Sequence, residues 1–465
     1  MTIKKLSNII VLRTEIAQNR GFMAKKLKKN RKKKYMNDKK VKVGLIGLGQ
    51  RGIGLLTSML ACKEADVVAL CDLYDERIKH GVEIVKKERG NEPKVYSDYN
   101  DLINDENVEA VVICSYWEEH TRMACASMLA GKYTACEVAG AYDIEDCWEL
   151  VRTYEKTKTP IMMLENCCFD RFELLSASLM RAGKLGKVVY ASGSYSHELR
   201  GEILGGNVCK HYRLRNYEKR NCENYPTHEL GPIAKILDIN RGNKMLSLSS
   251  VATRGNYGLT QATERADCPD ASLKGTTFAQ GDVVVTNIIC AGGEVITLRL
   301  DTTLPRTYSR EFTLHGTKGY CQQDTDMVML ESKLNMHEFF EADKTNKKYM
   351  GNAEEYKEYL PDVWKNITDE ERELGHGGMD FIEFKVFFDA ILNKKEMPID
   401  VYDMAAWMSI TPLSEQSILT GGTPQPIPDF TRGKWLLRKP LDVVELPKVE
   451  CDDEENKNIL GRQHM

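Results

Sequence analysis

The chain has 465 residues, enough for two or three domains at roughly 150 residues each. Its 42% apolar and 29% charged residues, with no run near the ~20 apolar residues of a spanning helix, exclude wholesale disorder, collagen-like repeats and a membrane-embedded chain. The net charge of −3 is uneven: residues 1–40 carry 14 Lys and Arg against Glu15 and Asp38, leaving 51 basic and 66 acidic side chains in residues 41–465. Nucleic-acid phosphates require clustered cations, so an acidic body points to a small-molecule partner and away from nucleic acid.

Residues 1–40 form a basic leader, expected to be a disordered, solvated tail because like charges repel and no apolar face is available to bury. Ile9-Ile10-Val11-Leu12 is too short for the 7–15-residue apolar region of a secretory signal, and the expected home is the cytoplasm. The 14 cysteines agree, with no Cys-x-x-Cys pair and no zinc-type spacing, so they read as small reduced hydrophobes and no metal site is expected. Cys114, Cys125, Cys136 and Cys147 recur every 11 residues, but on alternating predicted strands and helices, so the spacing is a coincidence.

Val41–Ile46 is a short β-rich run that ends in Gly47-Leu48-Gly49-Gln50-Arg51-Gly52, and a helical pattern continues to about Cys62. A second strand, 66–71, closes on Asp72, 20 positions beyond Gly52. A bare G-x-G-x-x-G is weak, but between a strand and a helix, with an acid at that distance, it is a dinucleotide fingerprint. Gly47 permits the tight turn, Gly49 lets the backbone approach a pyrophosphate, and Gly52 permits close helix–strand packing. The carboxylate of Asp72 suits a ribose and repels a 2′-phosphate, favouring NAD over NADP, although Arg51 could sit near such a phosphate.

Strands at 108–115, 133–138 and 160–164 alternate with helices at 119–130 and 144–158, the pattern of a doubly wound parallel sheet over residues 41–165. Ligands of such sheets lie beyond the carboxyl ends of the strands, where Asp72, Trp117, Glu118, His120, Glu137 and Asn166 fall. After about Gly186 the helix period fades, and β-like runs follow at 188–194, 245–252, 282–290, 294–302 and 310–315. Gly292-Gly293 and Gly316-Thr317-Lys318-Gly319 mark hairpins. Residues 166–465 are therefore expected to form an α+β domain with a large, mostly antiparallel open sheet, one face free for a partner subunit. Residues 340–375 are highly charged and expected to be helical, leading through His376–Asp380 into an amphipathic helix to about Leu392.

One dense polar cluster runs from His211-Tyr212-Arg213 through Asn224-Tyr225-Pro226-Thr227-His228. Tyr225 and His228 flank a predicted Pro-Thr turn and could face one cavity. Histidine titrates near 6.5 and suits proton transfer. A lone histidine is more often a structural hydrogen-bonding group; two proton-handling groups in one loop of a cofactor protein strengthen the functional reading.

Together these residues resemble the Gfo/Idh/MocA superfamily from about Val41 to at least Thr420. The ordinary sugar dehydrogenases of that superfamily carry Glu-Lys-Pro where this chain has Glu137-Val138-Ala139, so the lysine that assists hydride transfer is replaced by Val138. The Cys136-Glu137-Val138 variant instead resembles glycoside hydrolase family 109, typified by α-N-acetylgalactosaminidases. So do Trp117-Glu118-Glu119-His120, Leu164-Glu165-Asn166, Tyr225-Pro226-Thr227-His228 and Asp238–Asn243. The resemblance implies that Gln50, Arg51, Asp72, Trp117, His120, Glu137, Val138 and Asn166 contact NAD. It implies that Tyr195, Arg213, Tyr225, Pro226, Thr227, His228 and Tyr308 contact the sugar. The segment from Leu199 to Tyr225 departs most from the family pattern, being shorter and more basic.

The implied chemistry differs from that of glycosidases built on two carboxylates. Transient oxidation at C3 makes the C2 proton acidic, elimination expels the C1 oxygen, water adds at C1, and re-reduction restores the sugar with no net redox change. His228 is expected to be the base at the C3 hydroxyl and Tyr225 the partner for proton traffic at C2, with Glu137 and Glu149 as rival bases. The alternatives are an NAD-dependent sugar or inositol dehydrogenase, including one that forms a 3-keto sugar, and a non-catalytic NAD-dependent sugar sensor. A homo-oligomer is expected in each case.

Overall fold

The computed structural model describes residues 39–333 and 342–448; the expected basic leader, apart from Lys39 and Lys40, lies outside the described residues. Six strands, β1 (Val41–Ile46), β2 (Ala65–Cys71), β3 (Lys94–Tyr96), β4 (Ala110–Ile113), β5 (Tyr133–Glu137) and β6 (Ile161–Leu164), form one parallel sheet in the order β3-β2-β1-β4-β5-β6. Helices α1 (Gln50–Ala61), α2 (Asp75–Arg89), α3 (Tyr99–Ile103), α4 (Trp117–Leu129) and α5 (Ile144–Thr157) alternate with them. β4 (AVVI) and β6 (IMML) are buried at every position, as expected for a parallel sheet covered on both faces. A reciprocal cap starts α5: Asp143 accepts from the Asp146 N–H at 2.9 Å while the Asp146 carboxylate accepts from the backbone of residue 143. β3 was not legible in the sequence, because Lys94 and Val95 are both exposed on a three-residue edge strand. The order reverses between β1 and β4, which opens a crevice at their carboxyl ends.

The second sheet contains β7 (Val188–Ser196), β8 (Met245–Ala252), β9 (Val283–Cys290), β10 (Val295–Asp301), β11 (Thr313–Gly316), β12 (Gly319–Gln322), β13 (Met327–Leu330) and β14 (Gln425–Pro426). Its order is β13-β12-β11-β7-β10-β9-β8-β14, antiparallel except where β10 pairs with β7. Both predicted hairpins form, β9–β10 and β11–β12. The strand expected from Arg310 begins only at Thr313. Glu311 takes a φ of 47°, and Arg310 is drawn away to Asp170 at 2.8 Å and Glu173 at 2.9 Å.

The segment between the sheets is more helical than its sequence suggests. It holds α6 (Arg171–Arg181), α7 (Arg200–Leu204), α8 (Gly206–Cys209), α9 (Arg213–Lys219) and α10 (Thr227–Ile236). Runs of four to seven residues are too short for α7, α8 and α9 to display a helical period. The charged stretch 340–375 is helical in pieces, over Ala342–Tyr349, a 3₁₀ helix Asn352–Tyr359, and two single turns of α-helix at Asp362–Lys365 and Asp369–Arg372; residues 334–341 lie outside the described residues. Three further helices follow, α11 (Met379–Asn393), α12 (Val401–Met408) and α13 (Ile410–Leu419), before β14. These helices join the two sheets. Met163 of β6 donates to the Ile399 carbonyl at 3.1 Å, Ala141 donates to that of Met408 at 3.1 Å, and the Ser250 N–H of β8 donates to Ser417 Oγ at 2.8 Å.

Candidate active site

The turn after β1 is built as the fingerprint requires. Gly47 takes a φ of +94°, and a Cβ there would lie 2.2 Å from the Cys114 carbonyl oxygen. A Cβ on Gly52 would lie 2.0 Å from the Gly47 oxygen, whereas one on Gly49 would meet only Arg77 Nη1, at 3.6 Å. The open face is therefore at Gly49. This residue is also the N-cap of α1, with no side-chain cap and no acid in the first turn, so free N–H groups remain for an anion. Asp72 is buried and accepts from the Leu48 N–H at 2.7 Å and the Tyr74 N–H at 3.0 Å. A cradle that a Cβ would fill, beside a buried carboxylate, fits a dinucleotide.

Arg51 is not near Asp72. Its Nε donates to Glu137 Oε1 at 2.6 Å, and its guanidinium forks onto Asp380, Nη1 to Oδ2 at 2.5 Å and Nη2 to Oδ1 at 3.2 Å. Asp380, on α11, also accepts from Asn166 Nδ2 at 2.8 Å and lies 3.1 Å from His376 Nδ1. Burial alone would raise its carboxyl; Arg51 and His376 outweigh that and hold it below the usual carboxylate range. Arg51, Glu137 and Asn166 are thus brought together by a residue outside the predicted set. The cation beside Asp72 is Arg77, at 3.9 Å. Glu137 also accepts from the Val138 N–H at 3.0 Å, which leaves it poorly placed as the rival base, and Glu149 is exposed on α5 away from the cluster. His120 is buried, with Nε2 on the Ser115 carbonyl at 3.1 Å and Nδ1 without a partner; burial pushes it down to about 4, so it is neutral.

The substrate-side residues converge on the same crevice. Pro226 and Thr227 do not form a turn: Pro226 is the N-cap of α10, Thr227 is its first residue and His228 stands in its first turn. α10 comes close to the sheet because Gly193 faces it, where a Cβ would lie 2.5 Å from the Glu229 carbonyl oxygen. Tyr195, at the end of β7, therefore lies beside His228, ring centroids 5.4 Å apart, and Tyr225 lies 4.4 Å from Tyr195 and 4.8 Å from His228. Trp117 continues the aromatic floor 5.5 Å from Tyr225. The Arg213 guanidinium carbon lies 4.8 Å from the Tyr225 ring centre and 5.2 Å from that of Trp117; its Nε stands 2.7 Å from Glu202, and its buried Nη1 has no partner. Tyr308 is at the rim, 49% exposed, joined to Tyr195 through the His197 ring at 5.2 and 6.1 Å.

The decisive pair is Glu165–His228. Glu165 Oε1 lies 2.8 Å from His228 Nδ1 and accepts the Cys167 N–H at 3.1 Å. Burial would raise this carboxyl, but the His228 contact and its hydrogen bonds hold it below the usual range, so it is ionised. The shared proton then belongs to Nδ1, which leaves Nε2 as the basic nitrogen. Cys167 completes a set of three potential metal ligands within 4.8 Å of one another, but the Glu165 and His228 atoms are spent on each other, and burial pushes the Cys167 thiol well up. Burial also raises the Tyr225 phenol well above its ordinary range, so Tyr225 is a proton donor at rest and not an ionised acceptor. Glu165, His197, His376 and Asp380 were missed as site residues. The Glu165-Asn166 motif and the His376–Asp380 run were visible, but nothing local showed which crevice they reach.

The comparisons with known proteins agree with this geometry. Residues 169–437 match the glycosyl hydrolase 109 C-terminal domain, and residues 41–164 match the oxidoreductase family NAD-binding Rossmann fold. The chain is 35% identical over 429 residues to an alpha-N-acetylgalactosaminidase of Tannerella forsythia, covering 87% of this chain and 89% of the relative. It is 35% identical over 433 residues to a glycosyl hydrolase family 109 protein of Stenotrophomonas maltophilia, covering 88% and 92%. Among solved structures it shares its fold with levoglucosan dehydrogenase in complex with NADH and levoglucosan, at a TM-score of 0.62 and 19% identity, covering 84% of this chain and 100% of the other. A scyllo-inositol dehydrogenase from Lactobacillus casei matches at 0.59 and 14%, covering 84% and 99%. Residues 41–164 are an NAD-binding Rossmann domain, and the chain belongs to glycosyl hydrolase family 109.

Proposed function

We propose that this chain hydrolyses α-N-acetylgalactosaminides by transient oxidation at C3, with NAD held at the strand ends by Gly47, Gly49, Gln50, Arg51, Gly52, Asp72, Trp117, His120, Glu137, Val138 and Asn166. The observation that carries the reading is the pairing of buried Glu165 with half-buried His228, set against Tyr195, Tyr225 and Arg213 at the mouth of the dinucleotide fold. NAD, when bound, supplies the reversible two-electron oxidation of the sugar carbinol that acidifies the C2 proton. His228 Nε2 takes the C3 hydroxyl proton, and Glu165 stabilises the resulting imidazolium. Tyr225 starts neutral, so it can pass its proton to the departing C1 oxygen as it takes the one from C2. The Arg213 guanidinium, with an unpartnered buried Nη1, orients the sugar, and Tyr308 closes the rim.

The proposal extends to the chain's context. We assign residues 41–165 to the cofactor and 166–465 to the substrate and self-association, because the sheets divide there. A homo-oligomer is supported by the outer face of the second sheet, where Val251, Ile289 and Val295 are exposed. A cytoplasmic home is supported by thirteen free cysteines among the described residues, most of them buried. The test is incubation with an aryl α-N-acetylgalactosaminide while following both aglycone and reduced nicotinamide. Aglycone release with no accumulating NADH is expected. A keto sugar with matching NADH would instead identify a sugar dehydrogenase, and binding of NAD and sugar without turnover would identify a sensor.

A further inference from the structure

The short, basic segment from Leu199 to Arg220 crosses onto the nucleotide-fold domain and is fastened there at several places, among them Asn216 and Arg220 at Tyr142; two of them lie at the strand ends. At one, Lys210 Nζ lies 2.8 Å from Glu76 Oε1 and 3.9 Å from the centre of the Tyr74 ring, while Arg77 Nη2 donates to the Cys209 carbonyl at 3.1 Å. Arg77 also lies 4.7 Å from the Tyr74 ring centre, so this ring has a cation from each side of the junction. At the other, Arg215 is paired with Glu118 at the start of α4. Glu76 and Arg77 follow β2, and Glu118 follows β4; β1 and its glycine turn lie between them in the sheet. The segment therefore spans the carboxyl ends of β2, β1 and β4. Arg77 ties it to the nucleotide side directly, 3.9 Å from Asp72 and 3.6 Å from where a Gly49 side chain would begin. Lys210 takes a left-handed φ of 54° as the C-cap of α8, which turns the chain at the clasp.

We infer that this strap is a latch on the adenosine end of the cofactor, with Lys210, Glu76 and Arg77 as its clasp. NAD leaves only when the clasp opens. This deepens the proposed function, since a reaction that returns its electrons in every cycle has no need of cofactor exchange. It rests on NAD binding and not on the identity of the sugar.

The experiment loads the full-length protein with radiolabelled NAD and follows its release into excess unlabelled NAD. The wild type is compared with Lys210→Ala, Glu76→Gln and the double variant. Each single substitution is expected to speed release about three- to tenfold, with the double variant little faster than Lys210→Ala because both remove one contact. Added salt should speed release from the wild type and have less effect on Lys210→Ala. Glu76→Gln changes an exposed side chain, so folding is preserved and the comparison stays informative. Equal release rates from all four proteins would overturn the latch alone. A wild-type protein that takes up no NAD would overturn the cofactor assignment and the latch with it.

Discussion

His228 and Glu165 are 63 positions apart in the chain and one hydrogen bond apart in the fold. If His228 Nε2 is the base, His228→Ala should lower kcat for an aryl glycoside by roughly 10²–10⁴-fold. Glu165→Gln keeps the shape but loses the charge that stabilises the imidazolium, so kcat should fall by less than in His228→Ala, with KM nearly unchanged. Steady-state kinetics on both variants check this. Asp380 gives a second test at the same scale. Its buried carboxylate is the common partner of Arg51, Asn166 and His376, and removing one member of a buried pair costs about 3–5 kcal/mol. Asp380→Asn should lower stability and weaken NAD binding by about tenfold, read by titration of the cofactor against the folded variant; unchanged affinity would contradict its role in holding Arg51. Gly47, Gly52 and Asp72 were legible in the sequence because one turn and one strand carry them. Asp380 was not, because Arg51 finds it 329 positions away and no local period encodes that meeting.

At the scale of elements, α10 and the turn before it carry the substrate side, and two carboxyls lie beneath them. Glu223 and Glu229 are both buried, and Glu229 accepts from the Arg299 N–H of β10 at 2.8 Å. Burial pushes Glu223 up to about 8, and burial with its neighbour's charge pushes Glu229 well above the usual range. Both carboxyls therefore keep protons in the folded state that the unfolded chain releases near 4.5. Their contribution to stability is full below that value and is lost as pH rises toward 8. Thermal midpoints should fall between about pH 5 and pH 8 in the wild type, and Glu223→Gln should flatten that decline; an equal slope in both proteins would contradict the reading of buried, protonated carboxyls. The long strands and α4, α5 and α11 were readable because their apolar periods run for many residues. The helices α7 to α9 were hidden by their brevity, and α10 was mistaken for a turn because Pro226 and Pro232 bracket its first residues. Proline at the cap costs nothing there, since it lacks an N–H that the first turn would leave unpaired anyway.

For the whole molecule, the two sheets meet so that the proposed NAD-side and sugar-side groups share one crevice, while the outer face of the second sheet exposes Val251, Ile289 and Val295 among polar side chains. If that face joins copies of the chain, Ile289→Lys, which places a charge at a 52% exposed position on β9, should shift sedimentation toward the monomer with the cofactor site intact. An unchanged sedimentation coefficient would remove this face as the interface. The division into a nucleotide-binding half and a sheet-rich half was legible from the change in hydrophobic period. The way α12 and α13 stitch the halves together was not, because their contacts are with β6 and β8, far away in sequence. The central claim is that hydrolysis passes through oxidation and elimination at the sugar, and NMR of the product formed in D2O tests it most directly. The account predicts free N-acetylgalactosamine carrying deuterium at C2, with no NADH accumulating. Hydrolysis that leaves C2 fully protonated, or a keto sugar formed with stoichiometric NADH, would contradict it.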